Sequence, residues 1–516
     1  MQFPVLSIIV FTPAVAGLLI LLIPANRKTE TRMAALAAAV FALILSIWVY
    51  FNYDQGRAGY QFLESYRWLP QMGISLQLGV DGISAPLVLL TGLVMFTGVL
   101  ISWGVDDRPR EFFALLFILA SGVFGVFVAL DLFMLFFFYE IAVFPMYLLI
   151  AIWGWVKTRE YAAMKLTLYL FIGSVVALIG ALAMYWVVGK STGVYTFNML
   201  LISKAEQAGA FNFVAWQVPT YLQWLFHRPT LTFEMVVFPF VFFGFAVLGG
   251  IFPFHNWSPD GHVAAPTAVS MFHAGVLMKL GAFAALRVGI MLLPQGAQYH
   301  MSWIIFLALI NIVYGAFIAF VQNDLKYVIG FSSVSHMGLV MLGFATLTKD
   351  GMIGAGVQMF SHGVMTALFF AAVGMVYDRA HTREIPKLGG MVKPLPWVAI
   401  GFIIGGLVSM GMPGFSGFVA EFPIFMGTWQ TIPWAAILAS LSIVITAAYI
   451  LIAIRKVFFG EMPIEFSGHI GQIKVLDKIA IATLCGVMVV VGLFPWLMVP
   501  MVQSGVNSIM TLLGGA

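Results

Sequence analysis

The sequence predicts an all-α polytopic membrane protein of about fourteen transmembrane helices. Three observations predict it. Hydrophobic residues make up 62% of the 516-residue chain and charged residues 9%, where a soluble domain carries about 25% charged residues. A soluble fold cannot hide so much apolar surface behind so few charges, so lipid covers the outside. Apolar stretches of about 20 residues, the length that crosses a bilayer core, recur along the chain. Only 53–82 and 188–232 are long polar connections.

The first stretch, 4–23, runs from Pro4 to Pro24. It lacks a basic lead-in and an A-x-A cleavage site, which marks a retained helix and not a signal peptide. Further stretches lie near 33–52, 83–103, 112–129, 131–155, 163–187, 233–254, 267–291, 302–320, 328–346, 354–377, 396–425, 433–457 and 478–500. Lys and Arg concentrate in one alternating set of loops, around Arg27, Arg108, Lys157, Lys326, Arg379, Arg383, Lys387, Arg455 and Lys474. The other set holds few: Arg57, Arg67, Lys190, Lys204, Arg228 and Lys349. The basic set is therefore expected on the cytoplasmic side, with both termini extracytoplasmic. Lys165, Lys279 and Arg287 fall inside helices.

Composition also excludes. The single cysteine, Cys485, rules out an internal disulfide framework, a multi-cysteine zinc site and an iron–sulfur cluster, and no metal site is expected. The net charge of +4 comes from short loops and is no nucleic-acid signal. No phosphate-binding glycine loop is present.

Two stretches carry helix breakers at mid-depth. The seventh reads Val247-Leu-Gly-Gly-Ile-Phe-Pro253, with Gly249, Gly250 and Pro253; the twelfth reads Gly411-Met-Pro-Gly-Phe-Ser-Gly417, with Gly411, Pro413 and Gly414. Proline removes a backbone donor and clashes with the preceding turn. Unwound backbone at that depth is tolerated only inside protein or beside water. Two breaks five helices apart suggest two repeated halves around midplane sites; kinking for packing is the plainer alternative.

Ionisable residues cluster near both breaks. Read in chain order they are Glu140 in the fifth helix, Lys165 in the sixth, Lys279 in the eighth, His336 in the tenth, His362 in the eleventh and Glu421 after the twelfth-helix break. A charge at the bilayer centre costs about 3 kcal/mol on insertion scales, so such residues usually face an interior pathway. A proton relay needs groups that exist both charged and neutral, and burial and neighbouring charges tune that balance. Each residue has a structural alternative: a static inter-helix pair for Glu140, Lys279 and Glu421, snorkelling for Lys165, and hydrogen-bonded packing for the two histidines.

At these residues the chain resembles the antiporter-like chain M (NuoM-type) subunits of bacterial respiratory complex I, whose mitochondrial counterpart is NADH dehydrogenase subunit 4. The resemblance spans essentially the whole chain. It rests on Leu78–Ser84, Phe136–Pro145, Pro253–His262, Ala265-Pro-Thr267, Asn323–Lys326, Ser332–Gly338, His381-Thr-Arg-Glu384 and Gly411–Glu421. It implies two inverted five-helix repeats, helices four to eight and nine to thirteen, each with a broken helix. The boundaries then read 1–110 for helices one to three, 111–292 for the first repeat with the 188–232 loop, 301–457 for the second, and 458–516 for a C-terminal loop and last helix. Glu140, Lys279 and Glu421 match the family's relay acid, central lysine and exit acid, and Lys165, His336 and His362 match accessory positions. The family usually has a lysine in the broken seventh helix; here the aligned residue is Leu248. His273, six residues before Lys279, stands where M-type chains usually carry an apolar residue and is the candidate substitute partner for Glu140. Pairing of Glu140 with Lys165, or a poorly conducting first half, are the alternatives.

The implied function is proton pumping in NADH:quinone oxidoreductase, driven by quinone reduction elsewhere. No cofactor is expected on this chain; NAD, FMN, iron–sulfur clusters and quinone belong to partner subunits, and the partners are other membrane-arm, antiporter-like subunits in a bacterial inner membrane. The nearest rivals are subunits of a multisubunit Na⁺/H⁺ antiporter or of a membrane-bound hydrogenase. A haem–copper oxidase core would need more helical histidines than His273, His336 and His362, the three that the predicted spans contain. A lone solute transporter would need a polar mid-depth cavity in place of an ionisable file.

Overall fold

The computed structural model describes residues 3–212, 214–223, 228–466 and 470–514. The first six spans are α1 (Val5–Leu21), α2 (Lys28–Phe51), α3 (Ser84–Ile101), α4 (Pro109–Val128), α5 (Leu132–Trp153) and α6 (Arg159–Thr192). A short helix, α7 (Met199–Gln207), lies in the following connection. The seventh span is in two pieces, α8 (Phe233–Leu248) and α9 (Trp257–Ala264). Spans eight to eleven are α10 (Thr267–Ile290), α11 (Pro294–Val321), α12 (Leu325–Ala345) and α13 (Lys349–Ala380). The twelfth is again divided, into α14 (Pro396–Ser409) and α15 (Ser416–Thr431). Then come α16 (Pro433–Phe458), α17 (Val475–Leu493) and α18 (Val499–Leu512), the last not anticipated from the sequence. Among the described residues eleven helices are long and apolar enough to cross a membrane, and α1, α8 and α14 are shorter apolar ones.

Local chemistry sets the ends. Asp131 caps α5 by accepting from the amides of Phe133 (2.9 Å) and Met134 (3.2 Å), and Asp324 caps α12 through Lys326 N (2.8 Å). Proline opens α4, α11, α14 and α16, where its missing donor costs nothing. The 53–82 connection folds as a hairpin of β1 (Gln61–Leu69) and β2 (Ile74–Val80), and Glu64 from β1 accepts from Leu6 N (2.8 Å) and Ser7 N (3.0 Å), capping α1. A second small pair joins β3 (Ala215–Gln217) to β4 (Thr230–Thr232).

The helices at the centre are α10 and α13, buried all round, and α12, nearly so; α2, α6, α16 and α17 keep apolar faces outward. A helix apolar on every side belongs inside, so its few polar side chains must find partners within the bundle. Two sequence expectations need correction here. Lys326 is not a loop residue but lies buried in the first turn of α12. His262 and His300 are helical, in α9 and α11, so helical histidines are not confined to three. The missed helix has a physical cause: α9 is only 8 residues long, too short to register as a span. His227 and His469, also read as loop residues, lie outside the described residues.

Candidate functional site

The site is built around the two breaks. Helix α8 ends with Gly250 in the left-handed region (φ 74°), Gly250 N donating to Val247 O (3.1 Å) and Ile251 N to Ala246 O (3.1 Å). Helix α14 ends the same way: Gly411 has φ 62°, with Gly411 N to Val408 O (3.1 Å) and Met412 N to Leu407 O (3.0 Å). This is a Schellman closure, in which two orphan carbonyls are satisfied and glycine escapes the Cβ penalty. The unwound backbone beyond it is paired by side chains. Asn311 of α11 accepts from Phe252 N (2.6 Å) and donates to Gly250 O (2.8 Å), and Trp257 Nε1 donates to Val247 O (3.0 Å).

The second half gathers three of the sequence-predicted residues. His336 and His362 stack with ring centroids 5.2 Å apart and planes 12° from parallel. Glu421 Oε1 lies 3.5 Å from His336 Nε2 and accepts from Gln358 Nε2 at 3.2 Å. All three are buried. His336 Nδ1 faces Ser332 O (2.8 Å) and Nε2 faces Ser409 O (3.2 Å). Both neighbours are carbonyl acceptors, so an imidazolium donates to both while a neutral ring satisfies one. The hydroxyls of Ser332 (3.4 Å) and Ser409 (3.5 Å) stand ready to donate to the neutral ring. Tyr449 OH continues the polar file to Ser332 Oγ at 2.7 Å. Both nitrogens of His362 are buried with no hydrogen-bond partner among the described residues.

Lys279 occupies the middle of α10 between two π-helical turns, His273–Leu277 and Ala285–Ile290. It is fully buried, and its ammonium donates to the carbonyl of Ala274 in the first of those turns. Among the described residues no carboxylate pairs with it. Leu248 is buried where α8 meets α10: a Cβ at Gly281 would lie 2.7 Å from Leu248 C and press against Gly249 N.

The first half is arranged differently. Lys165 of α6 pairs with Asp260 of α9 at 2.7 Å, and Tyr327 OH donates to the other Asp260 oxygen at 3.1 Å. Lys165 therefore neither snorkels free nor reaches Glu140. Glu140 is not buried: it shares the outward face of α5 with Phe137 and Phe144 and makes no ion pair among the described residues. The pairing expected between Glu140 and His273 is likewise absent from the contacts. His273 instead stacks on Trp257 (5.1 Å, 16°) and lies against His262, ring centroids 3.9 Å apart. His262 Nε2 and Ser258 Oγ are 3.0 Å apart.

Asp260, His262, Tyr327 and Gln358 are the polar residues that reading the sequence missed. A signal existed for two of them, since Asp260 and His262 lie within Pro253–His262, directly after the break.

A family model described as NADH:quinone oxidoreductase/Mrp antiporter, TM matches residues 129–446. NADH-quinone oxidoreductase subunit M of Rhodobacter capsulatus is 36% identical over 508 residues, which cover 97% of this chain and 95% of that one. A chain of respiratory complex I from Thermus thermophilus with bound NADH superposes with a TM-score of 0.85 at 27% identity, covering 99% of this chain and 100% of that chain. A chain of the Mrp complex from a Dietzia species superposes with a TM-score of 0.79 at 20% identity, over 100% of each chain. At that identity it speaks for a shared fold alone.

Proposed function

The chain belongs to the NADH:quinone oxidoreductase/Mrp antiporter transmembrane family and, within it, to the subunit M group, and on that footing we propose that it is a proton-translocating, antiporter-like subunit in the membrane arm of NADH:quinone oxidoreductase. The observation that carries the reading is the file of ionisable groups along the central helices: Lys279 between π-turns, then stacked His336 and His362, then Glu421 directly behind the twelfth-span break. Relative to the rivals, identity to subunit M is 36%, whereas the Mrp likeness is 20%.

The chemistry divides by residue. Lys279 gives up or regains a proton as the field around it changes, since among the described residues its hydrogen bond is to a neutral carbonyl. His336 exchanges carbonyl acceptors for hydroxyl donors as it discharges. Glu421 is the exit acid. Lys165 with Asp260, and His273 with His262, serve the first half. Glu140, on the outer face of α5, meets the neighbouring subunit: a carboxylate is costly against acyl chains and is expected to be covered by protein. The driving redox steps, with NAD, FMN, iron–sulfur clusters and quinone, are assigned to other subunits; one buried cysteine cannot ligate a cluster.

Residues 111–292 and 301–457 form the two inverted repeats, with 1–110 and 458–516 flanking them. The loop charges support a cytoplasmic-membrane protein with both termini outside. Moving one charge against 100 mV costs about 2.3 kcal/mol, and one pKa unit is worth about 1.4 kcal/mol, so modest rearrangements around Lys279 suffice. Lys279→Ala and Glu140→Ala in the assembled complex should each remove most quinone-dependent acidification of inverted vesicles. Normal acidification in either variant would remove that residue from the relay.

A further inference from the structure

Met278 stands beside Lys279, directly after the first π-turn of α10, and is fully buried. Its thioether receives hydrogen bonds from both halves of the molecule. Ser258 Oγ of α9 donates to Sδ at 3.3 Å, and Ser333 Oγ of α12 donates to the same sulfur at 3.5 Å. Both serines are fully buried. Ser258 Oγ also stands 3.0 Å from His262 Nε2. Ser333 is the neighbour of Ser332, whose hydroxyl accepts from Tyr449 OH (2.7 Å) and faces His336 Nδ1 (3.4 Å). A polar thread from each half therefore ends at one sulfur.

Each hydroxyl has one proton, and both serines point theirs at the thioether. A thioether accepts weakly and has no proton to donate. A proton hopping along a thread needs, at every station, a group that both takes and gives one. Crossing by way of the two hydroxyls would require the sulfur to release a proton it does not hold. The methyl end closes the remaining space. A Cβ on Gly250 would lie 2.7 Å from Met278 Cε, and one on Gly249 would lie 2.7 Å from Met341 Cε, so two methionines pack against the seventh-span break. A hydroxyl or an ordered water in place of the sulfur would join the threads and bypass Lys279.

We propose that Met278 is a positioning residue for proton transfer: its thioether insulates the two polar threads from each other, so that a proton crossing between the halves is carried by Lys279. The insulator rests on the pumping function proposed above. The competing account is that Met278 only fills the gap between the break and α12, as flexible thioethers commonly do.

Passive proton leak separates the two, because an insulator acts even when nothing drives the pump. In vesicles holding the full complex and an imposed pH gradient, without NADH, Met278→Ser should collapse the gradient several-fold faster than the parent, since a hydroxyl both accepts and donates. Met278→Leu should hold the gradient; a leak there as large as in Met278→Ser would show loosened packing and overturn the insulator. Adding Ser258→Ala to Met278→Ser cuts the thread on the His262 side and should restore tightness, whereas an undiminished leak in the double variant also overturns the insulator. So does a parent-like gradient in Met278→Ser, and the pumping function then stands if the parent acidifies vesicles on quinone reduction. A parent that does not acidify removes both. Should Met278→Ser fail to assemble, Met278→Cys decides, because a thiol keeps the sulfur and adds a weak donor: a faster leak supports the insulator, and a parent-like one overturns it.

Discussion

The break after α8 and the break after α14 close their helices with the same two backbone bonds and a left-handed glycine, yet the acids that follow live under opposite conditions. Asp260 is about a quarter exposed and held at 2.7 Å by Lys165, itself 15% exposed. Glu421 and His336 are each 4% exposed and 3.5 Å apart. A partly solvated ion pair is worth about 0–1 kcal/mol. A buried acid beside a histidine is sensitive, because each added or removed charge is felt at low dielectric. One backbone device thus precedes a partly solvated pair in the first half and a buried pair in the second.

That contrast breaks most directly at the acids. Glu421→Ala is expected to lower proton translocation about 100-fold or to background, Asp260→Ala only several-fold, with quinone reduction and vesicle acidification measured together. Equal losses would mean that the two halves work alike. A smaller effect sharpens the comparison at the glycines. Alanine at either position costs about 1–2 kcal/mol of left-handed strain. At Gly411 the new methyl would also lie 2.8 Å from Glu421 Oε2, whereas at Gly250 it meets the end of a flexible side chain, Met278 Cε, at 2.7 Å. Gly411→Ala should therefore pump more slowly than Gly250→Ala at similar assembly, and the reverse order would show that backbone alone sets the rate.

The smallest effect lies off the relay, at the hairpin face. Burial pushes the Asp81 carboxyl up, but Arg287 at 2.7 Å, helped by Ser84, outweighs it and holds Asp81 below the usual carboxylate range. A depressed folded-state value gives stability above the ordinary carboxylate pKa that drains away as pH falls through the folded one. Thermal inactivation of the parent complex should thus quicken below about pH 4, and Asp81→Asn should lose that acid-dependent part; an identical pH profile in the variant would reject the assignment.

Much of this was legible beforehand. Fourteen apolar stretches, both breaks and the grouping of His336, His362 and Glu421 follow from hydropathy and from the price of charge in lipid. What stayed hidden was facing. The segment around Glu140, Phe136-Phe-Phe-Tyr-Glu-Ile-Ala-Val-Phe144, is apolar on every side, so no periodicity tells the inward residues from Phe137, Glu140 and Phe144, which share the outer face at helical spacing. The Lys165–Asp260 pair was hidden for another reason: its members are 95 positions apart and one sits on a half-helix too short to register. Lys326 misled because a lysine in the first turn of a helix reads as a loop charge until the carbonyls it caps are seen.

The outward carboxylate of α5 has a consequence for biogenesis. A copy inserted without its neighbour would leave Glu140 stranded among acyl chains, at a cost of about 3 kcal/mol on insertion scales. Such a copy is poorly tolerated by the bilayer until a second protein covers that face. A lone copy therefore carries an outward carboxylate whose burial cost only a covering protein can relieve.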